Sequence, residues 1–149
     1  MASETVVIGL NWVGDNILAL PTYRALQHRF RTEGGIAIAV PENIGALMAS
    51  TGISRQIITW SRPTRARVAA LREGRFRRAI ILPNSFRSSL IPALAGIRER
   101  WGYAGNFRWP LLTNPVAQPV APRHQLDDYG ALLAAISAPR VVGEVPTLT

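Results

Sequence analysis

Cysteine and lysine are both missing from this chain of 149 residues. Without thiols there are no disulfides and no thiolate metal ligands. The two histidines, His28 and His124, stand far apart, so no metal site is expected. Acids are scarce as well. Nine Asp and Glu face 17 basic residues, all of them Arg, for a net charge of +8. Arginine offers a planar fork that matches phosphate and carboxylate. The balance points to an anionic partner: nucleic acid, an anionic lipid surface or a phosphorylated glycolipid. No uninterrupted apolar run reaches the roughly 18 residues of a membrane span. The opening Met-Ala-Ser-Glu-Thr lacks the basic stretch of a secretory signal. Neither a G-x-G-x-x-G fingerprint nor a P-loop is present, so nucleotide binding is not assigned to this chain.

What is present is apolar. Hydrophobic residues make up 48% of the chain, enough for one globular domain with a sizeable core. Short β-branched runs alternate with helical stretches. Strands are expected at 5–10, 36–40, 56–60, 79–82 and 100–103. Helices are expected at about 16–31, kinked by Pro21, and at 41–50, 64–73, 86–95 and 125–137. Gly34-Gly35, Gly74 and Gly96 read as helix stops. The stretch 114–122, with three prolines, reads as a loop, and the tail from Pro139 as a linker. Alternation of this kind predicts an α/β domain with a Rossmann-like parallel sheet and helices on both faces.

Two strand–turn–helix junctions carry the candidate chemistry, because open α/β sheets bind ligands at the carboxyl ends of their strands. The first is Asn11-Trp-Val-Gly-Asp15. An Asp before a helix serves as its cap, and a capping carboxylate can also face a cleft as a general base. Gly14 suits either a tight turn or close approach of a ligand. Trp12 offers a face for a sugar or for packing. The second junction is Leu82-Pro-Asn-Ser-Phe-Arg-Ser88. There Ser85 is the expected helix cap, and free N–H groups with Arg87 would suit a phosphate or carboxylate.

These two motifs, with Ala95-Gly-Ile97 and Gly102-Tyr103, resemble the ADP-heptose:lipopolysaccharide heptosyltransferases of glycosyltransferase family 9, and most closely the heptosyltransferase II branch. The resemblance covers residues 4 to 137. It implies a lobe of a two-lobed GT-B glycosyltransferase, namely its N-terminal, acceptor-binding half over residues 1–138. Residues 139–149 would then be a linker toward a missing donor-binding lobe. The donor lobe's mark, Asp-Ser/Thr-Gly-x-x-His-x-x-Ala, is not found here. The reaction implied is inverting, metal-independent transfer of heptose from ADP-heptose to the inner core of lipopolysaccharide, with no cofactor. Asp15 would be the catalytic base. Asn11, Trp12, Gly14, Arg62, Asn84, Ser85, Arg87 and Ser88 would contact the lipid A-core acceptor. The implied location is the cytoplasmic, inner face of the inner membrane, with peripheral contact to it. This lobe alone is expected to be inactive.

Competing readings exist for several residues. Seven arginines lie between Ser61 and Arg78, with Glu73 as the single acid. They form either a solvated helix face or a surface that reads phosphates or lipid. Arg62, after the third strand, is the acceptor contact expected among them. Trp101, Tyr103, Phe107 and Trp109 interleave with Arg100 and Arg108, a pattern that can bind single strands. No RNA- or DNA-binding motif accompanies it, so no nucleic-acid partner is expected. The alternative to an acceptor lobe is a stand-alone module that binds an anionic glycan or a protein without catalysis. A flavodoxin-like receiver fits less well, since this chain lacks the acidic cluster and distal Lys of such receivers.

Overall fold

The computed structural model describes residues 2–105, 107–117 and 129–137. Six parallel strands form one sheet: β1 (Thr5–Ile8), β2 (Ile36–Pro41), β3 (Gln56–Trp60), β4 (Arg78–Ile81), β5 (Glu99–Tyr103) and β6 (Asn114–Val116). Their order is β3-β2-β1-β4-β5-β6. The chain winds outward from β1 on one side, then returns to β4 and winds outward on the other. Between β1 and β4 the direction reverses, and this is the switch point where doubly wound sheets open a crevice. Pairing is in step, with Ile8 opposite Ile81.

Alternation along each strand builds two cores, one on each face of the sheet, as a parallel sheet requires. Val7, Ile36, Ile38, Val40 and Ile80 face one side. There they meet Tyr23, Leu26 and Phe30 of the first helical region and Ile44 and Met48 of α3 (Glu42–Ser50). Leu132 and Ile136 of α6 (Gly130–Ser137) complete that layer. Val6, Ile8, Ala37, Ala39, Ala79 and Ile81 face the other side. There they meet Leu71 of α4 (Thr64–Gly74) and Ile91 of α5 (Phe86–Leu94). Helices on both faces of a Rossmann-like sheet are what the sequence pattern predicts.

Four local expectations are corrected. The first helix is two: α1 (Val13–Leu18) and α2 (Leu20–Arg29), joined at Ala19. Pro21 therefore does not kink a long helix but sits in the first turn of α2, where its missing N–H costs no bond. Gly74 does not supply the left-handed stop of α4; Arg75 does, at φ 52°. Gly74 is needed for space instead, because a Cβ there would lie 2.1 Å from the Phe76 ring. Residues 114–116, expected as loop, form β6, an edge strand in which Pro115 is tolerated. The helix expected from Gln125 is described only from Gly130 to Ser137. The stretch 118–128 and the tail from 138, with the expected linker 139–149, lie outside the described residues.

Arg78, expected among the exposed arginines, is buried at the amino-terminal end of β4. Its Nε donates to Glu99 Oε2 at 2.7 Å and its Nη1 to Glu33 Oε1 at 3.1 Å and Thr5 Oγ1 at 3.0 Å. Its guanidinium also lies 4.7 Å from the centroid of the Phe30 ring. Burial opposes ionisation of Glu99, but hydrogen bonds from Arg78 and the Trp101 indole outweigh it and hold the carboxyl below its usual range. This cluster ties β1, β4, β5 and the turn after α2 together, at the end of the sheet away from the crevice. Among the described residues, no helix is long and apolar enough to cross a membrane.

Candidate functional site

The crevice lies beyond the carboxyl ends of β1, β3 and β4, on the face covered by α4 and α5. Its volume is about 250 Å³, and Asn11, Trp60, Arg67, Ser85, Arg87 and Ser88 line it. Asn11 of the first motif and Ser85, Arg87 and Ser88 of the second thus meet across the switch point, while Trp12, Gly14, Asp15 and Asn84 are not among the lining residues. The motifs are far apart in the chain, and the pairing of β1 with β4 brings their turns together.

The first turn is fastened from within. Asn16 is fully buried. Its Nδ2 donates to the Leu10 and Trp12 carbonyls, both at 2.8 Å. Its Oδ1 accepts from the Leu10 N–H at 3.3 Å and from the Tyr23 hydroxyl at 2.5 Å. Burial pushes the Tyr23 phenol up, so it stays a donor. Asn16 thereby fixes the backbone that carries Asn11 and Trp12 and ties it to Tyr23 of α2. Sequence reasoning passed over it, since one Asn inside a helix start carries no signal of burial.

Asp15 is not the cap of α1. Trp12 occupies that position, with no side-chain cap bond, and Asp15 falls in the first helical turn. The carboxylate is half-buried and makes no ion pair among the described residues. Gly14 is exposed, has no positive φ, and a Cβ on it would meet nothing within 4 Å. A tight-turn role for Gly14 is therefore excluded, and open space remains around it. Trp12 is 71% exposed and stands with exposed Val13, Ile17 and Leu18 on α1.

The second turn is fastened from a distance. Ser85 caps α5, and its hydroxyl accepts from the Ser88 N–H at 3.1 Å. Ser88 is buried and committed, with its hydroxyl 2.7 Å from the Ser85 carbonyl and 3.2 Å from the Pro83 carbonyl. Asn84, Ser85 and Arg87 are exposed. Arg108, one of the arginines that interleave with aromatics in the sequence, is fully buried beneath this turn. Its Nε donates to the Tyr103 carbonyl at 2.7 Å. Its Nη1 reaches the Pro83 carbonyl at 2.6 Å, the Ser85 carbonyl at 3.1 Å and Ser88 Oγ at 3.0 Å. Burial pulls its pKa down to about 10. The other aromatics of that segment divide: Tyr103 is buried, Trp101 half-buried, and Phe107 89% exposed.

Arginines crowd the rim. Arg87 Nε donates to Thr64 Oγ1 at 3.1 Å and its Nη2 to the Arg62 carbonyl. Arg67 Nε donates to the Ser61 carbonyl at 3.0 Å, and its guanidinium lies 5.1 Å from the centroid of the Trp60 ring. Burial lowers the Arg67 pKa, and the charges of Arg87 and Arg62 lower it further. These guanidinium groups repel one another, and none of them is paired with a carboxylate among the described residues. A bound anion would relieve that repulsion. Arg62 itself is exposed and does not line the crevice floor.

Comparison with known proteins identifies the family and the fold. The family model for glycosyltransferase family 9 (heptosyltransferase) matches residues 64–144. Lipopolysaccharide heptosyltransferase 2 of Escherichia coli (strain K12) is 32% identical, over 74% of this chain and 34% of that protein. Lipooligosaccharide heptosyltransferase 2 of Haemophilus ducreyi is 28% identical, over 74% of this chain and 34% of that protein. The solved structure of E. coli ADP-heptose lps heptosyltransferase II superposes with a TM-score of 0.71 at 29% identity, covering 98% of this chain and 45% of that one. A glycosyl transferase family 9 structure from Veillonella parvula shares the fold, with a TM-score of 0.73 at 18% identity, covering 97% of this chain and 42% of that one. The chain spans about a third of the length of the curated relatives it matches.

Proposed function

This chain belongs to glycosyltransferase family 9, the heptosyltransferases, and from that premise we propose that it is the acceptor-binding lobe of an enzyme that transfers heptose from ADP-heptose to the inner core of lipopolysaccharide. The observation that carries this reading is the crevice at the switch point, lined by Arg67 and Arg87 with the charge of Arg62 acting on Arg67, and no carboxylate paired to them among the described residues. A core oligosaccharide bearing phosphates and carboxylates supplies the anions this rim lacks. The donor would be held by a second lobe facing the crevice. The lipid part of the acceptor would stay in the cytoplasmic leaflet of the inner membrane, with this lobe in peripheral contact with it.

Asp15 would serve as the base. An acceptor hydroxyl attacks the anomeric carbon of heptose, the bond from that carbon to the diphosphate oxygen breaks, and ADP leaves. The hydroxyl proton passes to the Asp15 carboxylate. Attack opposite the leaving group inverts the anomeric centre, through an oxocarbenium-like transition state. Asn11, Trp12, Asn84, Ser85 and Arg87 would orient the acceptor, with open space at Gly14 for its approach. Ser88 would act by shaping the turn, since its hydroxyl is already engaged.

Calorimetric titration of this chain with a deacylated lipid A–core oligosaccharide ending in one heptose tests the binding half. Binding is expected, weakening as salt rises, and weakening again in Arg67→Ala and Arg87→Ala. No binding, or binding insensitive to both substitutions, overturns the assignment of the crevice. In a two-lobed protein carrying this lobe, Asp15→Ala should abolish transfer and leave oligosaccharide binding intact. Near-normal turnover in that variant would leave only a binding module.

A further inference from the structure

A fully buried guanidinium with no carboxylate beside it is costly, because desolvation of the charge is offset by hydrogen bonds alone. Arg108 is such a group among the described residues. Three of its four bonds share one target. Nη1 collects the carbonyls of Pro83 and Ser85 and the hydroxyl of Ser88, three groups of a single turn, while Nε anchors to the end of β5 at the Tyr103 carbonyl. Pro83, Ser85 and Ser88 line the crevice; Arg108 does not.

The remaining nitrogen explains a second residue. Nη2 is buried without a partner. A Cβ on Gly102 would lie 2.9 Å from it, with Leu112 and Ile81 close by. Gly102 leaves room on β5 for the guanidinium to lie flat beneath the turn. The group is held by its other two nitrogens: Nη1 reaches the turn that frames the crevice, and Nε ties it to the end of β5.

We propose that Arg108 is the positioning residue of the β4–α5 turn: it sets Pro83, Ser85 and Ser88 in the crevice wall from below, without touching whatever the crevice binds. The hold on the turn does not depend on the identity of that ligand. Only the binding arm of the test rests on the acceptor reading.

Hydrogen exchange of this chain, followed residue by residue, tests the proposal on wild type, Arg108→Met and Arg108→Lys, with affinity for inorganic pyrophosphate measured alongside. In Arg108→Met, exchange at the amides of Ser88 and Ser89 should rise on the order of tenfold while Val6, Val7 and Ile8 stay within about twofold. Pyrophosphate should bind more weakly. Arg108→Lys, which keeps the charge but loses the fork, should restore part of both. An equal rise in the turn and in β1 overturns the proposal, because Arg108 then supports the fold at large. Unchanged turn exchange with lost pyrophosphate affinity also overturns it, because Arg108 then contacts the ligand. If Arg108→Met does not fold, Gly102→Ala decides. The added methyl presses on Nη2 and should loosen the same turn, and no localised rise there sinks the proposal. If wild type fails to bind pyrophosphate, the anionic-ligand reading of the crevice fails, while the exchange data still decide the role of Arg108.

Discussion

Two turns face each other across the switch point, and they are held in opposite ways. The turn after β1 is fastened by Asn16, which lies a few residues on and uses a neutral amide to satisfy four groups at once. The turn after β4 is fastened by Arg108, reaching Ser88 across 20 positions of chain with a buried charge. A neutral local clamp costs little to bury, since its donors and acceptor are all matched. A charged distant one costs more, but it couples the turn to β5 and so to the outer half of the sheet. One wall of the crevice is therefore set locally, and the other by the packing of the whole sheet.

The largest expected effect is at the local clamp. Asn16→Ala strands the Leu10 amide and carbonyl and the Tyr23 hydroxyl in the core, and stability should fall by about 2–4 kcal/mol. Urea unfolding reads this directly, and a loss below about 1 kcal/mol would mean that the turn after β1 holds itself. Gly102→Ala comes next. The methyl overpacks the Arg108 site, at a cost of about 1–3 kcal/mol, and the damage should appear in β5 and the β4–α5 turn before the β1 turn. Equal damage in both turns would erase the distinction between them.

The acid end of the sheet gives a smaller effect and a control, because it touches β4 and β5 but not the crevice. Glu99 has its folded pKa held below the unfolded value of about 4.5. Its contribution is fully present above that value and is lost as pH falls through the folded value. Melting temperature should therefore drop between about pH 5 and pH 3 in wild type, and drop less in Glu99→Gln. A variant that follows the wild-type acid profile would remove Glu99 from the account. The smallest effect is at the rim: Arg62→Ala is exposed and should change stability by less than about 0.5 kcal/mol, with its consequence confined to anion affinity.

The strands β1 to β5 were legible because their apolar runs are short, β-branched and bounded by turn residues, a signal of period and length that tertiary context did not override. β6 was not, because Pro115 in a proline-rich stretch reads as loop until a neighbouring strand offers it an edge. The helix break at Ala19 was hidden for a related reason: Pro21 signalled disruption, and only the backbone shows that the chain restarts just before it. The second junction was legible, and Ser85 caps α5 as its position suggests; the first was read as a turn through Asp15, whereas α1 already begins at Val13. Burial of arginine was not legible. Arg78 and Arg108 share a letter with fifteen others, and what separates them is partners distant in sequence: Glu33 and Glu99 for one, Pro83, Ser85 and Ser88 for the other. For Arg108, the isolated Gly102 within a strand pattern was the one available hint of a close approach.

The in-step pairing of Ile8 with Ile81 carries a further consequence. Since both turns leave the sheet at the same height, each motif is measured from the end of its own strand, and one residue added at the end of β1 or β4 would displace it by up to about 3.3 Å. The long excursion between the two motifs obeys no such ruler. Insertions at the far ends of α2, α3 or α4 would lengthen the gap in sequence without altering the crevice. Kindred chains should accordingly differ freely in the count of residues between the motifs, and hardly at all in the count from strand end to motif.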